Sequence, residues 1–179
     1  VQTCALPISP PIPPMKNLTR SLRLSFALLM SVALRAVCAP PSNPDAFEKG
    51  TVAVGEVTIP YRLFKPEVQP DKRYPLVVFL HGAGERGEDN QNQLRHGLAM
   101  LSSPEFQSKE PAFLLAPQCP NGRKWSEVDW SKMESALPKE PSVPMAGVMQ
   151  VIDSLIAKQA VDPSRIYITG LSMGGYGTW

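Results

Sequence analysis

The stretch RIYITGLSMG at residues 165–174 decides the fold. Its first part, RIYITG, is a short run of apolar, β-branched and aromatic residues, which is typical of a strand in a buried sheet. The run leads directly into a G-x-S-x-G motif centred on Ser172. In a strained turn from a strand into a helix, small residues two before and two after a serine prevent collisions and lift its hydroxyl above the sheet. The stretch therefore predicts Ser172 as a nucleophile, with Gly170 and Gly174 shaping its turn.

Two other apolar runs precede this one. Residues 74–80, YPLVVFL, have no polar face, which a strand covered on both sides requires, and residues 112–116 form the second run. A helix is expected around 92–101, and another between 142 and 160, where apolar residues recur at helical spacing: Met145, Val148, Met149, Ile152, Leu155 and Ile156. This order predicts an α/β fold with a mostly parallel sheet and helices on both faces.

Shorter segments of alternating pattern open the folded part of the chain. The segments are 50–59 and 61–64, and the first carries β-branched residues at roughly every second position: Val52, Val54, Val57 and Ile59. We expect them to be antiparallel strands at the edge of the sheet.

A second set of small residues, His81-Gly82-Ala83-Gly84, follows the YPLVVFL strand. In this architecture the loop after that strand supplies a backbone amide that stabilises the negative oxygen of the reaction intermediate. We expect Ala83 N–H to be this donor, with Gly84 as the alternative. Met173 N–H is expected to be the other donor, while His81 and Gly82 shape the turn.

The catalytic base and acid are expected elsewhere. The sequence contains two histidines, His81 and His96, and both precede the serine. Because the chain order in this architecture is serine, acid, histidine, both partners are expected after Trp179, so the fold is truncated after the nucleophile turn.

Three further residues are candidates for substrate binding. Glu85 and Arg86 follow the small-residue turn and could line the substrate entrance, although a charged loop is often simply solvated. Trp125 could form an apolar wall for an acyl or aryl group, and core packing is the alternative. Cys119 is expected to be a buried thiol without a catalytic role, and the cysteine spacing matches no metal-ligand pattern.

The first 49 residues divide into three segments. From Met15, basic residues precede an apolar run of eleven residues, which is the layout of a secretory signal peptide, and we expect cleavage after Ala39. Eleven residues are too few to span about 30 Å of hydrocarbon, so no stable membrane anchor is expected. Residues 1–14 are interpreted as a non-native or disordered leader and 40–49 as a linker. The catalytic domain, incomplete, then occupies 50–179, and the protein is expected to be secreted or periplasmic.

The charge distribution excludes two classes of partner. Four of the 18 basic residues lie before residue 40, which leaves 14 basic against 16 acidic residues. Because these charges are scattered, the chain has no electrostatic footprint for nucleic acid or anionic lipid.

Three segments together resemble a known group: 74–90, YPLVVFLHGAGERGEDN; 114–120, LLAPQCP; and 162–179, DPSRIYITGLSMGGYGTW. They are similar to the bacterial polyhydroxybutyrate-depolymerase-like and phospholipase/carboxylesterase α/β-hydrolases. The resemblance covers about residues 50–179. It implies an exported serine carboxylesterase with a Ser-Asp-His triad, no metal or organic cofactor, and a small-molecule or polymeric ester substrate.

The resemblance leaves activity and function class partly open. Because the triad aspartate and histidine are expected beyond Trp179, the chain as given is expected to be inactive. Two alternatives are an exported peptidase of prolyl-oligopeptidase type and a non-catalytic binding module with a hydrolase fold.

Overall fold

The computed structural model describes residues 42–130, 132, 134, 136 and 138–179. Within them, five strands form one mixed sheet in the order β1-β2-β4-β3-β5. The strands are Glu48–Val54 (β1), Val57–Phe64 (β2), Tyr74–Leu80 (β3), Phe113–Pro117 (β4) and Val161–Gly170 (β5). The helices are Leu98–Leu101 (α1), Pro104–Lys109 (α2), Val143–Lys158 (α3) and Met173–Gly177 (α4), with single 3-10 turns at Pro44–Ala46, Ala83–Glu85 and Asn92–Leu94. The leader and signal peptide predicted for residues 1–39 lie outside the described residues.

The apolar runs become the centre of the sheet. β3 lies between β4 and β5 and is parallel to both, as its lack of a polar face predicts. Val78 and Leu80 pack into a cluster with helix α3, whereas Phe79 packs on the opposite side with Leu94 and Leu98. Because successive strand residues point to opposite faces, a strand covered on both sides is apolar throughout. The predicted α/β fold with helices on both faces is confirmed.

The two N-terminal strands differ from the prediction. They pair with each other in antiparallel fashion, but the turn between them is at Gly55, where φ is +60°, and not at Pro60. Pro60 lies inside β2, opposite Thr51. β2 also pairs with β4, so of these two strands β1 alone lies at an edge of the described sheet, and the expectation that both lie at the edge was wrong.

The helix predicted around residues 92–101 is broken. A 3-10 turn at Asn92–Leu94 is separated from α1 by Gly97, which has a φ of +81°. A Cβ on Gly97 would lie well under 3.0 Å from the ring of Phe79. The chain therefore bends at this glycine to pass close to the sheet, and a continuous helix would not allow that approach.

Helix α3 confirms the predicted amphipathic segment, with one residue misplaced. Ser142 caps it by accepting a hydrogen bond from Met145 N–H at 3.2 Å. Met149, predicted to be in the apolar stripe, is 51% exposed, because the buried face is centred on Gly147, Val148 and Val151. The helix approaches the β1–β2 hairpin at Gly147. The prediction missed this contact because it was based on apolar side chains, and glycine has none.

Strand β5 is less buried than its composition predicts. Within the described residues it pairs only with β3, and Tyr167 and Ile168 are 56% and 43% exposed. The expectation of a buried strand before the serine turn was therefore wrong for these two residues, which point to opposite faces of the sheet.

Residues 42–47, predicted as part of a linker, pack against the domain. The Ser42 hydroxyl donates to Leu94 O at 2.6 Å, and Phe47 is buried. The buried guanidinium of Arg62 donates to three backbone carbonyls, those of Pro44, Phe47 and Asn90. The linker prediction was therefore wrong for this segment. No helix in the described part of the chain is long and apolar enough to cross a membrane.

Candidate active site

Ser172 lies in the tight turn between β5 and α4. β5 ends at Gly170 and α4 begins at Met173, so only two residues connect them. Ser172 has a φ of +49° and a ψ of −111°, a conformation that an L-residue rarely adopts. Backbone strain of this kind costs about 1–3 kcal/mol and persists only where the surrounding structure enforces it. The serine is exposed, and its hydroxyl makes no hydrogen bond to another described residue.

The two flanking glycines explain how this strain is enforced. A Cβ on Gly174 would lie well under 3.0 Å from Leu80 O, and one on Gly170 would overlap the backbone of Gly174. The turn is held by hydrogen bonds from Leu171 N–H to Leu80 O at 3.0 Å and from Gly174 N–H to Leu171 O at 2.7 Å. The backbone of the turn thus packs directly on the end of β3, without side chains between them.

The loop after β3 comes close to the serine. A Cβ built on Gly82 would lie 3.8 Å from Ser172 Cβ and 3.0 Å from Glu85 Oε2. Ala83 begins a 3-10 turn that ends at Glu85, and a Cβ built on Gly84 would have nothing within 4 Å. Within the described ranges, neither the Ala83 amide nor the Met173 amide donates a hydrogen bond, so both N–H groups can still bind an oxyanion.

His81 is buried and both ring nitrogens are engaged. Its Nε2 accepts a hydrogen bond from Cys119 N–H at 2.9 Å, and its Nδ1 lies 2.6 Å from Gly82 O. The indole N–H of Trp125 donates to His81 O at 3.0 Å. Desolvation by burial is the main cause that lowers the pKa of His81 below its usual value. Burial therefore favours the neutral ring, and both of its nitrogens are occupied by backbone groups other than the serine.

His96 lies outside any helix. Its side chain is 60% exposed, and Nε2 is 3.8 Å from Glu85 Oε1. The predicted surface helix at this position is absent, and among described residues no contact joins His96 to the serine.

The charged loop after the turn is tightly held rather than free. Arg86 Nε donates to Ala83 O at 2.9 Å, and the Glu85 side chain is only 17% exposed. The buried amide of Gln118 donates to Glu85 O and to Asp89 Oδ1 and accepts from Asn90 N–H. The backbone of the loop at Glu85 is thereby held by the residue that follows β4.

Trp125 is a core residue at the margin of the site. It is 1% exposed, its ring meets His81 edge-on at 5.2 Å, and Gly177 of α4 packs against its Cβ. Together with Tyr176 and Trp179 it also borders a cleft of about 230 Å³. Trp130 stacks on Tyr176 with ring centroids 5.8 Å apart.

The larger clefts of the described surface lie elsewhere. One of about 600 Å³ is lined by Phe64 and Tyr74, and one of about 610 Å³ by Thr51 and Arg123; neither includes Ser172. The serine thus opens directly onto the surface. The residues that the structure describes contain no cluster of His, Cys, Asp and Glu that could hold a metal ion.

The sequence analysis did not predict the contacts that two residues make in the site. Cys119 contributes its backbone N–H to His81, and Gln118 contributes its side chain to the loop after β3. Gln118 is a polar residue directly after an apolar strand and shortly before a proline, and this position could have indicated its role. The role of Cys119 could not be seen, because it uses only the backbone. Its thiol is fully buried, which raises its pKa to about 12.

Comparison with known proteins supports the fold. No protein-family model matches the sequence, and no curated protein matches it. Among solved structures, a thermostable esterase is 47% identical with a TM-score of 0.68, and the alignment covers 76% of this chain and 37% of the esterase. The chain thus spans less than two fifths of that protein.

Two further solved structures are only weakly similar. The esterase Est2 of Thermogutta terrifontis is 17% identical with a TM-score of 0.49, covering 77% of this chain and 44% of Est2. An S-formylglutathione hydrolase from Agrobacterium tumefaciens is 16% identical with a TM-score of 0.46, covering 78% and 54%. The assignment depends on the thermostable esterase, on the sheet order and on the turn at Ser172. On these grounds the chain has the fold of the α/β-hydrolases and is similar to a thermostable esterase.

Proposed function

We propose that this chain carries the nucleophile and the oxyanion-binding turn of a carboxylic ester hydrolase. One observation carries the proposal: Ser172 has a positive φ in a turn that packs, through two glycines, on the end of β3. Strained serines in strand-to-helix turns are characteristic of nucleophiles, because the strain exposes the hydroxyl and aligns it with nearby amides.

The proposed reaction has two steps. The Ser172 hydroxyl attacks the ester carbonyl, its proton passes to a base, and the alcohol leaves to give an acyl-enzyme. Water then hydrolyses the acyl-serine and regenerates the hydroxyl. In both steps the amides of Met173 and Ala83 stabilise the negative oxygen, and each such donor is typically worth about 10²–10³ in turnover.

Neither histidine of the sequence has the position of the base. Both ring nitrogens of His81 are engaged by backbone groups, and His96 is an exposed residue beside Glu85. We propose that the base and its acid come from polypeptide beyond residue 179. The 179-residue chain alone is then expected to hydrolyse esters at a negligible rate.

The surface around the serine favours esters with apolar groups. Leu171, next to the serine, and Tyr176, in the helix that follows it, are large apolar side chains, and each is 45% exposed. We propose a small-molecule or polymeric carboxylic ester as substrate, in line with the resemblance to the polyhydroxybutyrate-depolymerase-like group, and a reaction that needs no metal or organic cofactor.

The test is hydrolysis of p-nitrophenyl acetate by the product of the whole reading frame that encodes this chain. Ser172→Ala is expected to abolish turnover, whereas Ser108→Ala, an exposed serine of α2, is expected to leave it unchanged. Substrates with an amide in place of the ester distinguish an esterase from a peptidase. Equal activity of the Ser172→Ala variant and the unmodified protein would refute the proposal.

We also propose that the protein is exported, on the basis of the signal-peptide pattern at residues 15–39. N-terminal sequencing of protein recovered from the periplasm or medium is expected to begin at Pro40. A mature N-terminus near Met15 would contradict export by cleavage.

A further inference from the structure

We propose that His81 is a positioning residue for the oxyanion site: as a neutral ring with its proton on Nδ1, it orients the Gly82–Ala83 peptide so that Ala83 N–H faces the Ser172 hydroxyl. This inference rests on the proposed function and assigns a part of its machinery to a side chain that takes no part in proton transfer.

The tautomer follows from the partner of Nε2. Cys119 N–H can only donate, so Nε2, 2.9 Å away, must accept and carry no proton. A neutral imidazole then has its proton on Nδ1, which donates to Gly82 O at 2.6 Å. The charged ring would direct an N–H at the N–H of Cys119, in a site that is almost fully buried.

The orientation of the amide follows from the planarity of the peptide. In a trans peptide the C=O and the N–H point in opposite directions. Gly82 O accepts from the buried ring of His81 at 2.6 Å and, less closely, from Glu85 N–H of the 3-10 turn at 3.3 Å. The N–H of Ala83, on the opposite side of the same peptide, therefore points away from the His81 ring. The exposed Ser172 lies on that side, next to Gly82.

His81 itself is fixed by two other segments. Its ring is held by Cys119, just after β4, and its carbonyl by the indole of Trp125. Both anchors join the end of β3 to the loop after β4. Through His81, the core therefore adds a second constraint on the direction of the Ala83 N–H, beside the bond from Glu85 N–H to Gly82 O within the turn.

Two substitutions separate the two hydrogen bonds of the ring. His81→Asn keeps an N–H donor near the Nδ1 position, which can reach Gly82 O, but loses the acceptor for Cys119. His81→Gln keeps an acceptor near the Nε2 position for Cys119 N–H, but loses the donor to Gly82 O. If His81 positions the amide, His81→Asn retains the function. If His81 only ties β3 to β4, His81→Gln retains the stability of the fold. His81→Asn is then no more active than His81→Gln.

The first measurement uses the unmodified 179-residue chain. The ¹⁵N shifts of the His81 ring are expected to show a protonated Nδ1 and a bare Nε2 at neutral pH. The opposite tautomer or a charged ring overturns the proposal, and this result requires neither a variant nor catalysis.

The second measurement compares the variants in the product of the whole reading frame. Labelling of Ser172 by a fluorophosphonate is expected to slow about 10²-fold in His81→Gln, the value of one oxyanion donor, and less than about tenfold in His81→Asn. The ¹³C shift of the Gly82 carbonyl is expected to change in His81→Gln alone. Equal labelling rates in the two variants, or the reverse order, overturn the proposal. Failure of the unmodified protein to label at Ser172 contradicts the proposed function instead, and the ring and carbonyl shifts still decide the role of His81.

Discussion

Replacing Gly174 by alanine should unfold the serine turn, whereas the same change at Gly175 should not. A Cβ on Gly174 would lie 3.0 Å from His81 O and closer still to two atoms of Leu80, all of them backbone. At Gly175, which lies in the same helix, nothing is within 4 Å of an added Cβ. The pair therefore separates the packing requirement of the turn from the general effect of a methyl group in α4.

The size of the effect can be worked from these contacts. Overpacking against atoms that cannot rotate away costs about 1–3 kcal/mol. The required separation of the turn from β3 also breaks the hydrogen bond from Leu171 N–H to Leu80 O, which is worth about 1 kcal/mol. We expect Gly174→Ala to lose about 2–4 kcal/mol in the free energy of unfolding. Gly175→Ala should gain up to about 1 kcal/mol, because alanine favours the helix.

Urea unfolding, followed by tryptophan fluorescence, to which buried Trp125 contributes, measures this difference. With a slope of about 2 kcal/mol per molar urea, the midpoint of Gly174→Ala should lie about 2 M below that of Gly175→Ala. Midpoints within about 0.3 M of each other would show that the turn does not pack on Leu80 as described, and the argument for an enforced strain at Ser172 would fail with it.

Three further outcomes are expected. Ser172→Gly should raise the free energy of unfolding by about 1 kcal/mol, because relief of the strain at φ +49° exceeds the entropy cost of a glycine; a urea midpoint below that of Ser172→Ala would contradict this. Cys119, with a pKa of about 12, should resist alkylation by iodoacetamide at pH 8 until the chain unfolds. Peptide mass spectrometry in a Cys4→Ser, Cys38→Ser background measures the rate of alkylation, and rapid alkylation in the folded state would show that the thiol is accessible. The contribution of His81 to the free energy of unfolding should be full above its unfolded pKa of about 6.5 and should fall as the pH drops below that value. Burial lowers the pKa of His81 in the folded state, so protons bind the unfolded chain first; the charge of Glu85 opposes this lowering and that of Arg86 adds to it. A pH profile of stability equal to that of His81→Asn between pH 7 and 5 would contradict this expectation.

The parts of the fold that depend on side-chain polarity were predictable. β3 has the predicted bounds, because an uninterrupted apolar run fixes both where a doubly covered strand starts and where it stops. α3 was predicted from its spacing. The break at Gly97 and the rotation of α3 toward Gly147 were not, since both result from backbones approaching each other where a side chain is missing.

The same distinction applies to the site. Ser172, Gly170 and Gly174 were singled out by a spacing that reflects collisions within a single turn. The hydrogen bond from Cys119 N–H to His81 joins residues 38 positions apart and uses a backbone donor, so it leaves no mark on residue type. Gln118 and its three bonds to the loop after β3 became visible only once β4 was placed beside β3.

The carbonyl cage around Arg62 limits how the polypeptide can be trimmed. This cation is 4% exposed, and its hydrogen-bond acceptors include Pro44 O and Phe47 O. A shortened version that starts at β1 would delete both oxygens and leave a guanidinium in the interior with fewer dipoles to offset its lost hydration. Engineered truncations should therefore begin no later than Ser42, although the sheet itself starts six residues further on.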